Sequence, residues 1–168
     1  MQRRSWLRLG VAGAALLALG GGTVALVEPG LHAGRLAPAG RTVFRHTARA
    51  VLDGTLAAEA DPQSRELDAL LPRIDALVGG LPRHAQEELS QLLALMATVP
   101  GRRWLAGLEV PWELATVPQV QRALQGMRTS SLQLRQQAYH ALHDITSAAF
   151  FSDPATWRVL GYPGPAEV

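Results

Sequence analysis

The sequence predicts an all-α protein, an irregular bundle of five or six helices that follows an N-terminal signal or anchor helix. Three observations lead there. Apolar residues recur three and four apart, as in Leu67, Leu70, Leu71, Ile74, Leu77, Val78 and Leu81, which is the period of a helix face. No window alternates apolar with polar residues as a half-buried strand would. Proline and glycine punctuate the periodic runs at Gly54, Gly79-Gly80 with Pro82, Pro100-Gly101 and Asp153-Pro154, where helices have to stop.

Taken in order, residues 1–27 are a basic start followed by an uncharged apolar run, and 28–40 (EPGLHAGRLAPAG) are a Pro/Gly-punctuated linker. The bundle spans 41–152. Val43, Phe44, Thr47, Val51 and Leu52 keep one face of its first helix. The Leu67–Leu81 helix comes next, with Pro72 expected to kink or begin it. His84–Met96 turns Leu89, Leu92, Leu93 and Met96 inward. Arg102–Leu108 is a short helix, Glu109–Trp112 a turn that brings an indole to the bundle, and Val117–Met127 a further helix.

The terminal helix has its start signal at Thr129, Ser130 and Ser131. At about 100° per residue, Leu134, Ala138, Ala141, Leu142, Ile145 and Ala149 form a core-facing stripe. Leu132, Tyr139, His143 and Phe150 fall nearly opposite, flanked by Gln136, Thr146 and Ser147. Such a helix has two surfaces to cover. Residues 153–168 then form an aromatic, Pro/Gly-rich arm: Asp153 caps a short turn with Pro154 first, Gly161 closes it left-handed, and Pro163 and Pro165 hold the tail extended. Trp157 and Tyr162 supply contact area on that arm, because aromatics with a polar tip suit interfaces.

Charge is unevenly placed. Arg3, Arg4, Arg8 and Arg35 against Glu28 give 1–40 a net +3 within a total of +2, so 41–168 carries −1. The near-neutral bundle gives no case for nucleic acid. All sixteen basic residues are arginine, so a phosphate loop with its lysine is absent. With no cysteine, disulfides, thiolate metal sites and covalently attached haem are excluded.

Gln2-Arg3-Arg4-Ser5-Trp6-Leu7-Arg8 resembles the twin-arginine (Tat) export signal. Arg3 and Arg4 are its pair, Trp6 and Leu7 its bulky apolar positions and Arg8 its trailing base. Two fates stay open for the segment. Ala37-Pro38-Ala39 has the small-x-small form that signal peptidase reads, and the run from Leu9 to Val27 is near the about 17 residues of the shortest membrane-spanning helices. Either the segment is removed or it anchors the chain in the inner membrane.

Catalytic patterns are sparse. The glycine clusters lie in the signal or at helix ends, so no dinucleotide fingerprint forms, and no Gly-x-Ser-x-Gly elbow occurs. His140, His143 and Asp144 are the one arrangement with acid–base or metal-ligand spacing. His140 and Asp144, four apart, share a helix face, and a third ligand is missing, so they read as a structural pair with His143 in the aromatic face. Arg102-Arg103 reads as a solvated helix start.

Trp112, Met127-Arg128-Thr129-Ser130, Gln137-Ala138-Tyr139, Leu142-His143-Asp144, Phe150-Phe151, Asp153-Pro154 and Trp157…Leu160-Gly161-Tyr162-Pro163-Gly164-Pro165 together resemble the small (third) subunit of gluconate 2-dehydrogenase and related membrane-linked flavin dehydrogenases. The likeness runs from about Arg41 to Pro165 and is densest after Trp112. It departs at Phe151, where other members carry tyrosine. The resemblance implies a non-catalytic subunit without a cofactor of its own. Its partner would be a large FAD-dependent subunit of the glucose-methanol-choline type, with a multihaem cytochrome c subunit commonly taking the electrons. The small subunit would carry the signal read by the Tat translocase, placing the complex in the periplasm or on the periplasmic face of the inner membrane. Tyr139, His143, Phe150, Trp157 and Tyr162 are then the expected partner interface. The alternative is a free-standing periplasmic or membrane-anchored helical module with an apolar cavity.

Overall fold

The structure is a computed structural model and describes residues 28–162. It is all-α but for one small hairpin: five helices of 12 to 20 residues, α1 (Pro38–Val51), α2 (Ala60–Gly79), α3 (Arg83–Ala97), α4 (Val117–Arg128) and α5 (Gln133–Phe151). Short helical pieces, Val99–Gly101 running into a π-helical turn Arg102–Ala106, then Trp112–Leu114 and Pro154–Leu160, fill the joints.

α1 is the hub. It touches each of the other four long helices, and it can because Gly40, Val43, Phe44, Thr47, Ala48 and Ala50 bury more than one side of it. Small residues let neighbours approach while Phe44 fills the centre with Ile74, Leu93, Met96, Met127 and Leu142, all fully buried.

The stretch 28–40 is no linker. Leu31–His32 and Arg35–Leu36 pair antiparallel, Leu31 opposite Leu36, across an Ala33-Gly34 turn with both φ angles positive, the arrangement that matches strand twist. Leu31 and Leu36 are buried. Asp75 holds the hairpin down, accepting from the Leu36 amide and from the Arg41 guanidinium at 2.7 Å each. Composition suggested a loop because two-residue strands held by side chains far along the chain, Asp75 and Ser90, have no local signature. Pro38, expected near a cleavage motif, opens α1 at a position where a missing N–H costs nothing.

α2 begins seven residues before Leu67 and runs through Pro72. The ring faces solvent, and the only loss is the hydrogen bond that Asp68's carbonyl would have received. A second proline acts at a distance. Pro100 cannot donate to the Met96 carbonyl at the end of α3, and the Trp112 indole N–H takes its place at 2.9 Å, which is why the indole is drawn into the core at 2% exposure.

Candidate functional site

α5 is capped at its end as the residues require. Asp153 accepts from the Ala155 amide at 2.9 Å, Pro154 takes the first position, and Gly161 at φ 68° closes the turn. Gly161 N–H donates to the Arg158 carbonyl and Tyr162 N–H to that of Trp157, a Schellman closure. The turn is fastened back onto the helix whose last carbonyls lack partners. Thr156 Oγ1 donates to the Phe150 carbonyl at 2.9 Å and the Trp157 indole to that of Phe151 at 2.8 Å. Arg73 of α2 lies 3.3 Å from Asp153.

Trp157 is therefore half-buried and its N–H is already committed. Its ring supports Tyr162, with centroids 5.5 Å apart, and Tyr162 stands 47% exposed. Pro163 and Pro165 of the expected arm lie outside the described residues, as do Arg3, Arg4, Trp6, Leu7 and Arg8 of the export motif.

Along α5 the two expected faces need correction. Ala138, Leu142 and Ala149 are buried as expected, but so are Thr146 and Phe150, which were expected on the open side. A single-stripe reading assumes a helix lying on a surface. α5 instead packs against α1, α2 and α4, so a second line of side chains is covered. Phe150, 8% exposed and edge-on to Phe151 at 5.1 Å, belongs to the core.

The remainder of that face stays open. Leu132 is 48% exposed, and Tyr139 is half-buried and stacked on His143 with centroids 5.2 Å apart. His143 Nδ1 lies 3.0 Å from Asp144 Oδ1. A carboxylate oxygen accepts, so Nδ1 is the donor of that contact. His140 is 3.8 Å from the other oxygen of Asp144, beyond hydrogen-bonding distance. Asp144 thus faces both histidines from a solvated surface. No three-residue group of metal-ligand type occurs among the described residues.

Two aromatic groups result, Tyr139–His143 on the helix and Trp157–Tyr162 on the terminal turn. Eight residues of α5, about 12 Å of axis, separate His143 from the helix end. Sequence reasoning missed Trp104, half-exposed on the π-helical turn, and Arg102, which is 6% exposed rather than a solvated helix start. Its Nε and terminal amine donate to the Leu108 and Glu109 carbonyls. A run of two arginines carries no local sign of which one turns inward. Among the described residues no helix is long and apolar enough to cross a membrane. No protein-family model, no curated protein and no solved structure matches this chain.

Proposed function

We propose that this chain is a non-catalytic small subunit that binds an FAD-dependent dehydrogenase large subunit and directs its Tat export to the periplasm. The supporting features are the resemblance to the small subunit of gluconate 2-dehydrogenase, the twin-arginine motif at Arg3 and Arg4, and an aromatic surface left open on a tightly packed bundle. The observation that carries the reading is the terminal turn. Four caps and side-chain bonds fix it in place, yet it holds Tyr162 out at 47% exposure on a Trp157 support. Pre-ordered aromatic surface docks at small entropic cost. Tyr139 and His143 extend the contact along α5; Phe150 does not contribute.

A twin-arginine signal exports folded cargo, so its place on a subunit without a cofactor motif fits an escort that carries a flavin-loaded partner. The test is co-export. Arg3→Lys with Arg4→Lys should leave both this chain and the flavoprotein in the cytoplasm, read by fractionation and flavin fluorescence. Partner export unaffected by the double change would contradict the escort role.

A further inference from the structure

A cleft of about 330 Å³ opens between the loop 106–110, α4 and the start of α5. That volume is at the low end of small-molecule sites, about 300–1,000 Å³. Its edge is the π-helical turn Arg102–Ala106, a geometry that recurs at functional positions.

Charge there is one-sided. Arg135 reaches in from α5 with its Nε fixed on the Leu105 carbonyl at 3.0 Å. A Cβ on Gly107 or Gly126 would lie 3.2 or 3.7 Å from its terminal nitrogen, so the guanidinium sits between two glycines. Arg122 lines the same cleft. Among the described residues neither has a carboxylate within ion-pair distance, and neither has the buried Arg102 behind them. The one carboxylate on the wall, Glu109, is held by Arg103 at 3.0 Å. The charged residues that line the cleft are thus two arginines and one carboxylate that is already paired outside it. Arg135 is part-buried and Arg122 exposed, so the cleft presents two guanidiniums without a counter-charge, which an anion would complement.

We infer that this cleft binds a small organic carboxylate, forked by Arg135 and met by Arg122, its short carbon chain lying on Ala106, Val110 and Ala123. The planar guanidinium matches a carboxylate in two parallel hydrogen bonds. Glu109 on the wall disfavours a doubly charged ligand such as phosphate, and the aliphatic lining favours a carbon body. The inference does not depend on the flavoprotein partner.

The test is a ¹⁵N–¹H titration of the full chain with sodium propionate at constant ionic strength. Saturable shifts are expected at the Gly107 and Gly126 amides. Arg122→Gln should weaken binding about tenfold or more. Gly126→Leu should abolish it while retaining both arginines, and it replaces a poor helix former with a good one, so the fold is kept. Saturation unchanged in Gly126→Leu, linear shifts that chloride reproduces, or equal binding of neutral propionamide would each overturn the site.

Discussion

His46 shows how much a single half-buried ring can impose. It sits on the hub helix with Nδ1 buried and unpartnered, and its pKa is lowered, first by burial, then by Arg49, against a raising effect of Glu113, with Arg45 the weakest of the lowering influences. The folded state therefore holds fewer protons at this site than the unfolded chain does. Stability from this group is present above the ordinary histidine value of 6.5 and is lost as pH falls below it, until the folded-state value has been passed. The thermal midpoint of the native chain should fall as pH is lowered below 6.5, and His46→Gln should flatten that component. An identical pH profile in the variant would assign the dependence elsewhere.

Residue-scale chemistry was legible where it is local. Asp153, Pro154 and Gly161 announced their turn because a cap needs only neighbours. Phe150, Thr146 and Arg102 were misplaced because their burial depends on helices far away in the chain.

At the scale of elements, the hairpin before α1 revises what the N-terminal region can undergo. Ala37-Pro38-Ala39 has the form of a peptidase site, yet Ala37 is 7% exposed and Pro38 is the first residue of α1. Close contact seals the junction. A Cβ on Gly40 would meet the Gly30 carbonyl at 2.3 Å, and one on Gly30 would meet Leu93 Cβ at 2.4 Å. Cutting within this motif would remove Leu31 and Leu36 from the core, each worth roughly 1.5–3 kcal/mol of burial. A chain that crosses a membrane folded offers no extended substrate there. On the proposed function, the exported protein should therefore retain residues 30–40, as intact mass and N-terminal sequencing would show. A mature terminus at Gly40 would contradict this.

Helix content was the most readable property of the sequence, since period and punctuation repeat over long stretches. The π-helical turn and the hairpin were not readable. One depends on the Arg102 guanidinium finding loop carbonyls, the other on Asp75, Ser90 and Leu93 arriving from helices 39 to 63 residues away along the chain.

For the molecule as a whole, the bundle closes around α1; Trp104 is open on the π-helical turn, and the rings of the expected partner interface that stay open lie at one helix face and one terminal turn. On the proposed function, those rings are where the flavoprotein sits. Of the two groups, Trp157–Tyr162 is the more exposed and the better fixed, so it bears the claim most directly. Removing both rings takes away large aromatic contacts of the type that dominate interface energies, at about 2 kcal/mol or more each, without reaching the buried core around Phe44 and Leu142. Tyr162→Ala alone keeps the Trp157 bond to Phe151 and separates loss of contact from loss of the turn. The measurement is co-purification of the flavin subunit with tagged Trp157→Ala/Tyr162→Ala and Tyr162→Ala chains, each checked for native helix content by circular dichroism. Folded variants that no longer retain the flavoprotein are the expected result; a folded double variant that retains it at the native level would contradict the account.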